Sequence, residues 1–135
     1  MAKGAVFHHT QFQFHDGVIG DKYFVVLNEP AKEEPFIFAK TTSQLRNRTH
    51  KKGCNPSLDV FYIRQGTEKA LPVDALIQLT DLYEFSPEEI LKGHLTDKTI
   101  SFGEDLSSLT VSQVINCVRA LKEDISEYYF KLITR

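Results

Sequence analysis

Phe36-Ile37-Phe38-Ala39-Lys40-Thr41-Thr42-Ser43-Gln44 is the stretch from which the rest of the chain is read. Phe36 to Ala39 is a continuous apolar run rich in aromatic and β-branched residues, the pattern of a buried strand. Thr41 to Gln44 then set four hydrogen-bonding side chains directly on the end of that strand. A basic segment follows, Arg46-Asn47-Arg48-Thr49-His50-Lys51-Lys52. Upstream, Asn28 to Pro35 is a polar loop punctuated by Pro30 and Pro35. Before that loop, Tyr23-Phe24-Val25-Val26-Leu27 has no polar alternation, which predicts a central strand buried on both faces.

Further out, the first half continues as strands. Ala5-Val6-Phe7 starts the first, and Phe12 and Phe14 alternate with Gln11 and Gln13 at the period of a half-buried strand. His15-Asp16-Gly17 is a turn signal. Asp59 to Ile63 and Val73 to Leu82 read as two more strands. The second half is helical. Ser86-Pro87-Glu88-Glu89 has Ser at the cap, Pro at the first helical position and Glu three residues after the cap, with Gly93 as the expected end. Thr110-Val111-Ser112-Gln113 is a second such start, and Val111, Val114, Ile115, Val118 and Leu121 form one apolar stripe. Ile125, Tyr128, Tyr129 and Leu132 extend the pattern past a break near Lys122–Asp124. The expected layout is one domain, 1–135, mainly β with helices: a small, strongly curved antiparallel sheet, a short helix and a C-terminal helical layer over about 108–135.

A chain of 135 residues can bury a real core without a staple. Its net charge of −2 argues against a generic nucleic-acid coat. The charge is uneven, however. No acid lies between Glu34 and Asp59, where Lys40, Arg46, Arg48, Lys51 and Lys52 stand, whereas ten acids and six bases follow from Asp81 onward. A basic centre on an acidic body is a local anion site. Cys54 and Cys117 follow no metal or redox spacing and read as two free thiols in a reducing cytoplasm. Met1-Ala2-Lys3-Gly4 lacks the apolar region of a signal peptide, and no apolar run is long enough to span a membrane. Asn47-Arg48-Thr49 matches the glycosylation pattern, which is empty without secretion.

Hydroxyls and amides beside Arg and Lys suit phosphate oxygens, so Thr41, Thr42, Ser43 and Gln44 are candidate ligands of an anion. The plainer alternative is turn residues bonding their own backbone. The basic segment is either solvated surface or the seat of a polyanion. Lys22 follows Gly20-Asp21 at the mouth of the strongest strand, where it can hold a charge over a groove or simply sit exposed. His8 and His9 point to opposite faces of a strand, so they make no joint metal site, but either can move a proton near neutral pH. No His/Cys cluster has zinc spacing, and neither metal nor cofactor is expected.

In their order, these motifs resemble the PemK/MazF family of toxin endoribonucleases. The likeness lies in Gly20-Asp21-Lys22-Tyr23-Phe24-Val25-Val26-Leu27-Asn28, then Phe38-Ala39-Lys40-Thr41-Thr42-Ser43-Gln44, then Ile77-Gln78-Leu79, Ser86–Leu91 and Val111–Leu121. It covers most of residues 4–121. The resemblance implies a small SH3-like antiparallel barrel and metal-independent cleavage of single-stranded RNA. It carries the family's arginine and first turn threonine onto Lys22 and Thr41. Lysine here keeps the charge but not the planar fork of arginine, Tyr23 stands where the family has proline, and Ile77 where it has an acid. The resemblance also implies a cognate antitoxin protein and a homodimer.

The expected chemistry is attack by the RNA's own 2′-hydroxyl. Lys22 and Arg46 would steady the charge, Thr41 would position the phosphate, and His9 or His8 would move the proton. Thr42, Ser43, Gln44, Arg48, Lys51 and Lys52 would bind the strand. Two other readings stand beside it. One is a catalytically inactive module of the same barrel that binds nucleic acid or protein. The other is a gyrase-directed toxin acting through Lys131-Leu132-Ile133-Thr134-Arg135.

Overall fold

Phe36–Thr42 forms the strand on which the sheet is built, and its two faces bury different partners. The computed structural model describes residues 1–45 and 50–135. Seven strands are present among them: β1 Val6–Gln13, β2 Ile19–Val26, β3 Phe36–Thr42, β4 Gly53–Asn55, β5 Val60–Ile63, β6 Ala75–Phe85 and β7 Ile100–Phe102. Three helices join them: α1 Pro87–Leu95, α2 Ser108–Ala120 and α3 Glu127–Thr134. The strand order is β4-β5-β6-β3-β2-β1-β7, with every neighbouring pair antiparallel.

The mainly-β chain with helices is therefore as its sequence reads, but the sheet is not a closed barrel. Its outermost strands, β4 and β7, are three residues each and do not pair with one another. Closure needs a continuous, staggered ladder all the way round. Here α2 and α3 cover one face, so that face buries its apolar residues without the sheet curling onto itself.

Alternation along β2 and β3 sorts the core into two clusters. Val25, Leu27, Ile37 and Ala39 face the helices and meet Val114, Val118, Leu132 and Ile133. Phe24, Val26, Phe36 and Phe38 face the other way, where Phe7, Phe12, Tyr83 and Ile90 join them. Phe38 stands in the middle of this second cluster, with ring centroids 5.2 Å from Phe7 and 5.3 Å from Phe24. The continuous run Tyr23–Leu27 is read correctly as doubly buried from Phe24 onward; Tyr23 itself is exposed.

Asn28 is fully buried where β2 leaves the ladder. Its amide donates to Pro35 O at 3.0 Å and accepts from the Ile37 N–H at 2.7 Å, so the side chain stands in for a missing strand neighbour. Asn28→Ala orphans both backbone groups in the core. The expected loss is about 2–4 kcal/mol in a urea titration; a loss near zero would mean that water replaces the amide.

The helices depart from their sequence signals in instructive ways. Ser86 and Glu89 form the expected capping box of α1, but the helix continues through Gly93 to Leu95. Gly93 is there for packing: a Cβ built on it would lie 2.5 Å from Ile100 Cδ1 on β7. The cap of α2 is Ser107 rather than Thr110. Ser107 donates its N–H and hydroxyl to Glu68 Oε1 at 3.0 and 2.7 Å. Burial alone would raise the Glu68 pKa; the hydrogen bonds from Thr110 and Ser107 outweigh it and hold the carboxyl below its ordinary value. A depressed folded-state pKa gives stability that is present above the unfolded value and lost as pH falls through the folded one. Glu68→Gln is expected to remove part of the acid limb of a stability-versus-pH curve; an unchanged limb would refute the assignment.

Cys54 and Cys117 are not free thiols. They form a disulfide across 63 residues of sequence, with Cα atoms 5.4 Å apart, joining β4 to α2. Spacing in the sequence carries no trace of it, because the pair is created by α2 packing over the end of the sheet. No helix among the described residues is long and apolar enough to cross a membrane.

Candidate nucleic-acid interface

β2 and β3 pair only from Phe24 to Val26 against Phe38 to Lys40. Beyond that short ladder their ends splay, because β2 continues along β1 while β3 continues along β6. The gap is floored by the segment Leu71–Ala75 and leaves a cleft of about 190 Å³. Lys22, Thr41, Thr42, Ser43 and Asp21 all border it. Two residues 19 apart in the chain, Lys22 and Thr41, are thus brought to one cleft by tertiary structure.

The two threonines have different chemistry there. Thr41 lies opposite Ile77 on the helix-covered face, is buried, and donates its hydroxyl to Tyr23 O at 3.0 Å. Its proton is committed to holding the splayed strands together. Thr42 lies on the opposite face, like Lys40, and accepts the Gln44 N–H at 3.2 Å. An acceptor hydroxyl keeps its own proton to give away, so Thr42 is the threonine equipped to donate to a phosphate oxygen. Sequence alternation already holds this distinction: Phe36, Phe38, Lys40 and Thr42 share one face, and Ile37, Ala39 and Thr41 the other.

Lys22 shares a face with Phe24 and sits across the ladder from His9. Burial lowers its pKa from the ordinary lysine value, and the nearby Lys40 charge lowers it further. Two cations on one face of a sheet that repel each other have a standing electrostatic need for an anion. Lys40 meets part of that need internally, through Asp81 at 2.8 Å, and lies 5.2 Å from the centre of the Phe14 ring.

The remaining candidates disperse. His9 shares the face of Lys22, its partner across the ladder, but borders a separate cavity beside α1 with Glu89 and Lys92 rather than the cleft. Its pKa is lowered by burial and by His8, and its Nδ1 accepts the Gln11 N–H at 3.2 Å, which leaves the neutral ring's proton on Nε2. His8, by contrast, contacts Asp21 through Nε2 and packs on the Tyr23 ring at 4.8 Å. Its Nδ1 has no hydrogen-bond partner among the described residues, and Asp21 borders the cleft. His8 pairs with Tyr23, however, and so lies on the sheet face opposite Lys22; only its partner Asp21 reaches the border of the cleft. Gln44 borders a second cavity of about 230 Å³ with Thr42, His50 and Gln78. Lys51 and Lys52 are exposed, Lys52 on the side of α2. Arg46 and Arg48 lie outside the described residues.

Asp21 and Lys40 were not singled out by the sequence motifs. Lys40 was legible from the period-2 alternation of its own strand. Asp21 was not, since its contact with His8 depends on the β1–β2 register. Set beside known proteins, the chain matches no protein-family model and no curated protein.

Proposed function

We propose that the chain is a toxin-like endoribonuclease of the PemK/MazF kind, cutting single-stranded RNA without a metal. The observation that supports this most is the cleft between the splayed ends of β2 and β3, bordered both by Lys22, whose charge is disfavoured by burial and by Lys40, and by Thr42, whose hydroxyl proton is uncommitted. A phosphate in the cleft receives the Lys22 ammonium and the Thr42 hydroxyl. Asp21, which borders the cleft and is backed by His8, takes the proton of the adjacent 2′-hydroxyl. O2′ bonds to phosphorus, the P–O5′ bond breaks, and solvent protonates the departing 5′-oxygen. Lys22 steadies the charge that grows on the phosphorane. The products are a 2′,3′-cyclic phosphate and a 5′-hydroxyl. Gln44, Lys51 and Lys52 hold the strand on either side. The reading carries with it a cytoplasmic site of action, a homodimer and a cognate antitoxin whose disordered acidic segment covers the cleft.

The test is incubation of purified protein with single-stranded RNA in EDTA. Fragments ending in cyclic phosphate are expected, with a strand lacking 2′-hydroxyls left whole. Intact RNA, together with normal growth on expression, would sink the proposal. One observation favours a second reading, an RNA-binding module without cleavage: the cleft offers a lysine's point charge rather than an arginine's fork. That reading predicts salt-dependent binding of RNA that stays uncut.

A further inference from the structure

The disulfide sits at the foot of the basic segment. Asn55 hooks Lys51 to β4 from both sides: its carbonyl accepts the Lys51 N–H at 3.1 Å, and its amide donates to Lys51 O at 2.9 Å and to Gly53 O at 3.0 Å. Lys51, Lys52 and β4 therefore move as one small unit, and Cys54 lies at its centre. That unit is weakly held otherwise. β4 is an edge strand of three residues and pairs only with β5. The Cys54–Cys117 bond is its covalent anchor to α2.

The anchor can be reached. Both cysteines border an open groove of about 630 Å³ between β4 and α2, together with Lys52, Gln113 and Asn116. Cys54 is half-buried, while Cys117 is 1% exposed. An attacking thiolate therefore meets Cys54 Sγ first, with Cys117 as the leaving group.

We propose that the Cys54–Cys117 disulfide is a reversible redox switch that sets the position of Lys51 and Lys52. A dithiol reductant supplies the thiolate, which bonds to Cys54 Sγ as the Cys54–Cys117 bond breaks and Cys117 leaves to take up a proton. The second thiol of the reductant then attacks the mixed disulfide and releases Cys54. Two electrons and two protons pass to the cysteine pair, and the dithiol becomes a disulfide. Reduction leaves β4 held by its short ladder alone and lets Lys51 and Lys52 leave the position in which Asn55 and the α2 anchor hold them. The oxidised form presents them fixed. In a reducing cytoplasm the open form prevails, and oxidation closes the clamp.

The structural arm of the test is limited trypsin digestion of the full chain, oxidised and after dithiothreitol, with thiols counted in each. Cleavage after Lys51 and Lys52 is expected to quicken about 10-fold on reduction, as local opening becomes more frequent. A Cys54→Ser, Cys117→Ala chain should digest at the fast rate under both conditions, with an unchanged circular-dichroism spectrum; a Cys117→Ala chain serves if the double variant fails to fold. Equal rates for the oxidised and reduced wild-type chain would overturn the switch, as would two free thiols in the chain after exposure to oxidant. The RNA arm rests on the proposed function: the reduced form should bind single-stranded RNA about 10-fold more weakly at moderate salt. Faster digestion with no RNA binding in either form would refute the RNA reading and leave the switch standing. Faster digestion with equal binding in both forms would refute the coupling.

Discussion

Lys22→Met is expected to lower RNA cleavage about 100-fold or more, with the urea midpoint close to that of the wild type. The side chain is partly exposed and makes no described hydrogen bond or ion pair, so little folding energy is lost with its charge. What is lost is a cation where the phosphorane gathers negative charge, and removing one such group typically costs about 100- to 1000-fold in rate. Lys22→Arg separates charge from shape. If charge is what matters, arginine retains cleavage; if the fork adds a second hydrogen bond, it exceeds the wild type. The pH profile adds a readout that a structural role would not move. Burial and Lys40 both depress the Lys22 pKa, so the ammonium is lost at a lower pH than for an ordinary lysine. The alkaline limb of cleavage should therefore fall early, and Lys40→Met should shift it upward. An alkaline limb that does not respond to position 40 would remove Lys22 from the chemistry.

The second large effect is on stability. Phe38→Ala should cost about 3–5 kcal/mol, read as a lower urea midpoint at unchanged slope. Phe38 is 0% exposed and lies at the centre of the aromatic face, in contact distance of Phe7, Phe24 and Phe85. Neighbouring rings cannot all collapse into the space it leaves, because each is already locked edge-on or stacked against another. Phe38→Leu, which keeps most of the volume, should cost clearly less. A cost for alanine under about 1 kcal/mol would show that the cluster is loosely packed. The same substitution should also impair the cleft, since Phe24, on which the Phe38 ring packs, lies on the last paired rung before β2 and β3 splay.

The Phe36–Gln44 strand and turn show how far sequence carried the site. Hydrophobic content and β-branching placed the strand, and the hydroxyl cluster marked the end that borders the cleft. Assigning the phosphate to Thr41 ignored the period of two, which sends Thr41 to the helix-covered face and Thr42 to the other. The same alternation gives Lys40 to the face of Thr42. His8 and His9 posed the reverse difficulty. Their opposite orientation was legible, but which of them shares the face of Lys22 depended on the β1–β2 register, which pairs His9 with Lys22 and His8 with Tyr23.

By itself, then, the sequence determined what short-range chemistry can determine. It gave five of the seven strands from run and alternation, missing the three-residue β4 and β7, together with the start of α1 from its cap, the break before α3, and the single concentration of positive charge. Those signals lie within a few residues of one another and depend on local geometry. Tertiary structure alone decided the rest. It left the sheet open, because the helical layer buries the face that a barrel would have enclosed. It joined Cys54 to Cys117 over 63 residues, kept Gly93 inside a helix against Ile100, and made a cleft where β2 and β3 part company. Each of these depends on which distant surfaces meet, and no local pattern of residues encodes that.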